Sequence, residues 1–315
     1  MGGDIVRHLL DIKDLSRKEI ETILERARWY KSLKVYPKTL EGKFVLTAFF
    51  EPSTRTKVSF QKAAMNLGAN VIDFAPESSS LLKGETDLDT ILTLNMMDFD
   101  CLVVRIRRNG APKEFSKYVK MPVVNAGDGT NEHPTQALLD AMTMVEHFNT
   151  LKLKVAIVGD IVHSRVARSL TELLNKFGAE VRMVGPKGFV PESFEGVSLI
   201  TNDLEEAIHD VDVIYALRIQ KERLEQSYTN VDEFFRTMQI NSKTIELAPK
   251  HAVLMHPGPF NRNVEVSDDV VYSERSKILE QVKNGVFVRM AVLEFAMGVI
   301  EVESVRSMET SLAGR

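Results

Sequence analysis

Cysteine is almost absent from the 315 residues: Cys101 stands alone. One thiol cannot close an internal disulfide, and no Cys/His pair has zinc-site spacing, so neither a disulfide framework nor a structural metal is expected. Long apolar runs are missing too. Nothing approaches the ~20 consecutive apolar residues that span a bilayer. The start, Met1-Gly2-Gly3-Asp4, lacks the basic-then-apolar pattern of an export signal. Excess charge of one sign is also missing, since 40 Lys and Arg face 44 Asp and Glu for a net −4. Such balance argues against a chain whose task is to neutralise a nucleic-acid backbone. The expectation is a soluble, cytoplasmic protein with no membrane or nucleic-acid partner.

What is present is an ordinary globular composition, 44% hydrophobic and 27% charged, with enough apolar side chain to bury normal cores. The length suggests two domains of roughly 100–200 residues each. The dominant rhythm is an apolar run, a short polar turn, then a helical pattern. Strands are predicted at 44–50, 71–74, 101–104 and 122–124, with helices at about 54–67, 88–96 and from Pro134 onward. On the first helix Phe60, Ala63, Ala64 and Leu67 share one face. The second half repeats the alternation: strands at 155–160, 180–184, 212–217 and 252–255, and a helix at about 164–177 closed by Gly178. The runs are continuous rather than alternating, as expected when helices cover both sheet faces. The fold class predicted is α/β, with two doubly wound parallel-sheet domains joined by helices. A last helix at about 286–300 carries Val288, Ala291, Val292, Phe295 and Val299, and the polar tail from Val302 to Arg315 is expected to fray.

Six segments carry chemistry. Ser53-Thr54-Arg55-Thr56 follows a strand and opens a helix. A helix N-terminus offers unpaired N–H groups and the positive dipole end, and three hydroxyls plus a guanidinium add donors suited to phosphate oxygens. A single Ser or Thr would suffice as a cap. Ser78-Ser79-Ser80-Leu81-Leu82-Lys83-Gly84 is a polar loop with a cation near its end. Arg105 lies at the carboxyl end of a strand, where open α/β sheets gather ligands, while Arg107 and Arg108 beside it suit a solvated edge as well. His133-Pro134-Thr135-Gln136 follows a glycine-rich turn and starts a helix, Pro134 fitting its first position. In the second half Arg165 and Arg168 start a helix against its macrodipole and Arg218 ends a strand, which points to an anionic partner. The turn His256-Pro257-Gly258-Pro259 can offer backbone carbonyls as acceptors.

In their order and spacing, these motifs, with Lys83-Gly84-Glu85-Thr86 and Arg218-Ile219-Gln220-Lys221-Glu222-Arg223, resemble the aspartate/ornithine carbamoyltransferase family, and its aspartate branch in detail. The resemblance implies a carbamoyl phosphate-binding domain at 1–133, completed by a C-terminal helix at about 286–305. It implies an aspartate-binding domain at 134–285 and an active site in the cleft between the two. The implied reaction moves the carbamoyl group of carbamoyl phosphate to the amino group of L-aspartate in pyrimidine synthesis, without a cofactor. Ser53, Thr54, Arg55, Thr56 and Arg105 would bind the phosphate. Thr56, Arg105 and His133 would donate to the carbonyl oxygen. Gln136 and the turn Pro257-Gly258-Pro259 would take the carbamoyl amino group, and Arg165, Arg218 and Gln220 the carboxylates of aspartate. Ser79 and Lys83 match loop residues that enter a neighbouring subunit's site, implying a catalytic homotrimer. Such trimers can assemble further with regulatory chains or with dihydroorotase.

Three rivals are weaker. Ornithine-specific members carry a His-Cys-Leu-Pro turn and a Ser-Met-Gly loop. Here the turn is His256-Pro257-Gly258-Pro259, and the only Ser-Met pair, Ser307-Met308, lacks the glycine. A dinucleotide-dependent oxidoreductase needs G-x-G-x-x-G, and Gly159-Asp160-Ile161-Val162-His163-Ser164 lacks its second and third glycines. A catalytically dead scaffold is disfavoured because every matched position holds a competent residue.

Overall fold

A computed structural model describes residues 7–219 and 237–300. Gln220 with Lys221, Glu222 and Arg223, and the tail from Val302 to Arg315, lie outside the described residues. The chain forms two compact units, one of residues 1–142 and 283–315, the other of residues 143–282. Both divisions fall inside helices, Pro134–Phe148 and Ile278–Ala296.

The first unit begins with α1 (Arg17–Ser32), started by a capping box in which Ser16 and Glu19 exchange side-chain and backbone hydrogen bonds. Its sheet holds β1 (Phe44–Phe49), β2 (Asn70–Phe74), β3 (Cys101–Ile106) and β4 (Val123–Asp128), all parallel, in the order β2-β1-β3-β4. Between strands run α2 (Thr54–Asn66), α3 (Asp87–Asn95) and the short α4 (Ala111–Phe115), and α5 (Pro134–Phe148) follows β4. Central β1 and β3 are buried along almost their whole length, whereas edge strand β2 is largely exposed. That difference explains why the central strands read as continuous apolar runs. The predicted stripe of α2 is real: Phe60, Ala63, Ala64 and Leu67 are all fully buried.

The second unit holds β5 (Lys154–Val158), β6 (Glu180–Val184), β7 (Val197–Thr201), β8 (Val213–Ala216) and β9 (Val253–Met255), again all parallel, ordered β7-β6-β5-β8-β9. Among the described residues its helices are α6 (Arg165–Lys176), α7 (Leu204–Ile208) and α8 (Asp268–Val271). Ala156, Ile214, Leu254 and Val266 lie at the centre of its core. The doubly wound parallel architecture is therefore as the sequence predicts, twice over. α1, α4, α7, α8 and β7 are additions that sequence patterning did not mark.

The last helix, α9 (Ile278–Ala296), is tied into the first unit by a buried charge. Glu294 receives Arg26 through two bonds, Nε at 2.7 Å and Nη2 at 2.9 Å, with Tyr30 Oη at 2.5 Å and Thr39 Oγ1 at 2.6 Å. Burial, and then the Glu294 charge, push the Tyr30 hydroxyl up, so it stays a donor. Arg26 also stacks over the Trp29 ring at 4.1 Å. Lys31 Nζ adds a bond to Asn284 Oδ1 at 2.8 Å. A buried pair gains little over an apolar substitute, but removing one partner strands the other charge. Glu294→Ala should therefore cost about 3–5 kcal/mol in the first unit, read as a lowered melting temperature by calorimetry. A loss below about 1 kcal/mol would show that the pair does not anchor α9.

Candidate active site

In a doubly wound sheet, ligands collect beyond the carboxyl ends of the strands where the order reverses. In the first sheet that point is between β1 and β3, and both ends are occupied by the residues the sequence singles out. After β1 the chain runs through Glu51 and Pro52 to Ser53, and α2 opens at Thr54. Ser53 holds the cap position with extended backbone, φ −161° and ψ 97°, yet its side chain accepts no bond from the helix. Its hydroxyl is thus not spent on capping. No acid stands in the first turn to offset the positive end of the dipole. Thr56 is buried and Arg55 is exposed. An N-terminus in this state, with no side-chain cap and no acid, is the setting in which an anion is electrostatically favoured.

Arg105, opposite Phe49 in the β1–β3 register, meets Glu51 Oε1 through Nε at 2.6 Å. Their side chains are only 15% and 13% exposed, so the pair is largely shielded from water. The neighbouring cations differ. Arg107 is exposed, and Arg108 pairs with Asp87 and Glu114 on the surface and stacks over Phe115. Of the three arginines, Arg105 is the one aimed at the switch point.

β4 leads to the third segment. Asp128 is buried and accepts four donors: Gly110 N–H at 2.7 Å, Asn125 Nδ2 at 2.9 Å, Asn131 Nδ2 at 3.0 Å and Glu132 N–H at 3.1 Å. Gly129, with φ +48°, is required because a Cβ there would fall 2.5 Å from the Arg107 carbonyl oxygen. This knot sets His133 just before α5, where its carbonyl accepts Gln136 N–H at 3.0 Å. His133 and Gln136 are both buried. Gln136 Nε2 donates to Asp140 Oδ1 at 2.9 Å. A carboxylate only accepts, so the amide turns its NH2 to Asp140 and keeps Oε1 as the acceptor end.

Sequence patterning missed one further cation. Arg289 lies on α9, is 3% exposed, and stacks over Phe60 at 5.1 Å. Gly285 makes the room, because a Cβ there would come within 2.6 Å of Arg289 Nη1. Burial, opposed by the charge of Asp140 and helped by that of Arg105, pushes the guanidinium down to about 9. That is still above neutrality, so the first unit keeps this third positive group charged. The detectable signal is a single arginine inside the apolar stretch Val286–Leu293.

The second sheet reverses between β5 and β8. After β5, buried Asp160 holds His163 Nδ1 at 2.8 Å. Ser164 caps α6 by accepting Ala167 N–H at 3.2 Å, which places Arg165 as the first helical residue. No acid stands in that first turn either. Arg218 follows β8 and is half-buried, while Arg168 is exposed. The turn after β9 carries Pro257, Gly258 and Pro259 on a partly exposed edge above buried His256. Lys83 is exposed at the end of a 3₁₀ turn, Ser80–Lys83, whose cap Ser79 accepts Leu81 N–H. Among the described residues, no hydrogen bond or ion pair joins Lys83 to the Ser53–Thr56 turn. Nor do the described residues include a group of three or more His, Cys, Asp and Glu able to hold a metal, or a helix long and apolar enough to cross a membrane.

Comparison with known proteins gives these sites a family. Residues 7–146 match the "Aspartate/ornithine carbamoyltransferase, carbamoyl-P binding domain", and residues 151–296 match its "Asp/Orn binding domain". The aspartate carbamoyltransferase catalytic subunit of Thermus thermophilus is 47% identical over 293 residues, covering 91% of this chain and 97% of the relative. Among solved structures, Pyrococcus furiosus ornithine carbamoyltransferase superposes with a TM-score of 0.85 at 33% identity, covering 94% of this chain and 98% of that one. Trypanosoma cruzi aspartate transcarbamoylase, in complex with carbamoyl phosphate and aspartate, gives 0.83 at 32% identity, covering 94% and 96%. With both halves matched in order and at these identities, the chain belongs to the aspartate/ornithine carbamoyltransferase family.

Proposed function

We propose that the chain transfers the carbamoyl group of carbamoyl phosphate to the amine of L-aspartate, giving N-carbamoyl-L-aspartate and phosphate. The observation that carries this reading is the Ser53–Thr56 turn, with its uncommitted cap hydroxyl and acid-free first turn beside Arg105. Ser53, Thr54, Arg55, Thr56 and Arg105 take the phosphate. Thr56, Arg105 and His133 donate to the carbonyl oxygen, where negative charge builds as the amine attacks. Gln136 Oε1 and the Pro257 and Gly258 carbonyls accept from the carbamoyl amino group, the Gln136 amide being oriented by Asp140. The C–N bond forms as the C–O bond to phosphate breaks, and the departing phosphate takes the amine proton.

Aspartate is favoured over ornithine as acceptor because the second unit's sheet edge carries cations, Arg165 and Arg218, suited to carboxylates. The sequence relatives named for aspartate point the same way. Two anionic substrates repel, and four charge-assisted contacts at roughly 1.5–3 kcal/mol each are of the size needed to offset that. The reaction belongs to pyrimidine synthesis in the cytoplasm. Lys83 and Ser79 serve the site of a neighbouring copy in a homotrimer. This assembly is supported by the exposure of Lys83 and by apolar side chains left open on α2 and edge strand β2, Val58, Met65 and Ile72.

The choice of acceptor is tested by incubating the protein with carbamoyl phosphate and either aspartate or ornithine, then assaying ureido product. Product with aspartate is expected, and product with ornithine alone would overturn the substrate. Arg55→Ala should lower kcat by about 10²–10³-fold with an unchanged melting temperature. Mixing Arg55→Ala chains with Lys83→Ala chains should then restore part of the activity. Mixed trimers that stay as inactive as their parents would contradict shared sites.

A further inference from the structure

The turn after β9 is held by a buried polar network for which the reaction scheme has no direct use. His256 and Glu265 are each 1% exposed. His256 N–H donates to Gln281 Oε1 at 2.9 Å, and Gly258 N–H donates to His256 Nδ1 at 2.8 Å. A ring nitrogen that accepts carries no hydrogen, so neutral His256 bears its proton on Nε2. That Nε2 faces Glu265 Oε1 at 3.6 Å. Glu265 accepts two hydrogen bonds from Asn261, from N–H at 2.7 Å and Nδ2 at 3.2 Å. Asn261 Nδ2 also donates to the carbonyl of Ile219, the residue directly after Arg218, at 3.1 Å. The Phe260 ring closes the network, edge-on to His256 at 5.9 Å.

A carboxylate in this setting is costly, because Ile219, Ile240, Leu254 and Val266 of the same core are completely buried. Its position explains the cost. The Glu265 carboxylate, 3.6 Å away, attracts the proton to Nε2 and so leaves Nδ1 as an acceptor, and Nδ1 then holds Gly258 N–H against the ring. The peptide joining Pro257 to Gly258 is trans, and in a trans peptide N–H and C=O point in opposite directions. Drawing Gly258 N–H inward therefore turns the Pro257 carbonyl outward.

We propose that Glu265 and Asn261 are positioning residues. Glu265 fixes the His256 tautomer that aims the Pro257 carbonyl as an acceptor for the carbamoyl amino group. Asn261 ties that carboxylate to the backbone just after Arg218, so one network aligns the strand ends serving both substrates. This inference rests on the function proposed above.

Acetyl phosphate provides the test, since it carries a methyl group where carbamoyl phosphate carries the amino group. Affinities for carbamoyl phosphate, acetyl phosphate and inorganic phosphate are measured in the wild type and in Glu265→Gln. The tautomer of His256 is read by ¹⁵N NMR on histidine-labelled protein. The wild type should prefer carbamoyl phosphate and show the Nε2–H form. Glu265→Gln should keep its inorganic phosphate affinity, lose about tenfold of the preference for carbamoyl over acetyl phosphate, and show mixed tautomers. If Glu265→Gln does not fold, Asn261→Ala should show a smaller loss in the same direction and a raised KM for aspartate. Unchanged discrimination with an unchanged tautomer overturns the positioning role, as does an equal loss of affinity for all three ligands. A wild type that binds phosphate with no carbamoyl preference, yet shows the Nε2–H tautomer, overturns the functional reading itself.

Discussion

Positive charge held at the carboxyl edges of two parallel sheets is the constraint around which the site residues are arranged. Arginines are costly when withdrawn from water or set against a dipole: Arg105 is mostly shielded, Arg289 on α9 is buried, and Arg165 opposes its own helix dipole. The scaffold tolerates them in different ways. Glu51 neutralises Arg105, the Phe60 ring receives Arg289, and Ser164 supplies the cap that Arg165 cannot. What remains after this neutralisation is a first-unit turn still short of negative charge. A phosphate dianion carries more charge and more acceptor oxygens than the Glu51 carboxylate, so it can compete for Arg105 while filling the α2 N-terminus.

The neutral polar groups are fixed in the same manner, by partners one layer further in. Asp140 orients the Gln136 amide, Asp128 shapes the turn before His133, and the His256–Glu265 pair holds the turn after β9. Each partner is a buried carboxylate. A buried carboxylate satisfied by several donors adds rigidity more than net stability. Rigidity is what the proposed transfer needs, because it depends on placing an amine against a carbamoyl carbon.

Much of this was legible in the sequence because it is local. A strand followed by Ser53-Thr54-Arg55-Thr56, or a glycine-rich turn followed by His133-Pro134, carries its meaning within a few residues. The parallel sheets were legible for a similar reason, since doubly covered strands are continuous apolar runs. Edge strand β7 was not, because its partly exposed Val197–Thr201 lacks such a run. α1 had a readable start in Ser16 and Glu19, followed by Ile20, Ile23, Leu24 and Ala27 at helical spacing, but its high charge masks the stripe. Contacts between distant residues left no local trace. Glu294 meets Arg26 across 268 positions, and Arg289 reaches the neighbourhood of Arg105 only through the fold. Glu51 lies between a strand and a helix in the sequence, with nothing local to mark it as the partner of Arg105.

The competition between Glu51 and phosphate for Arg105 is the most direct point of attack on this account. A crystal structure with carbamoyl phosphate bound should show the phosphate at the N-terminus of α2, within hydrogen-bond distance of Ser53–Thr56, and Arg105 moved from Glu51 onto a phosphate oxygen. Arg105 still paired with Glu51, with the phosphate bound elsewhere, would contradict it.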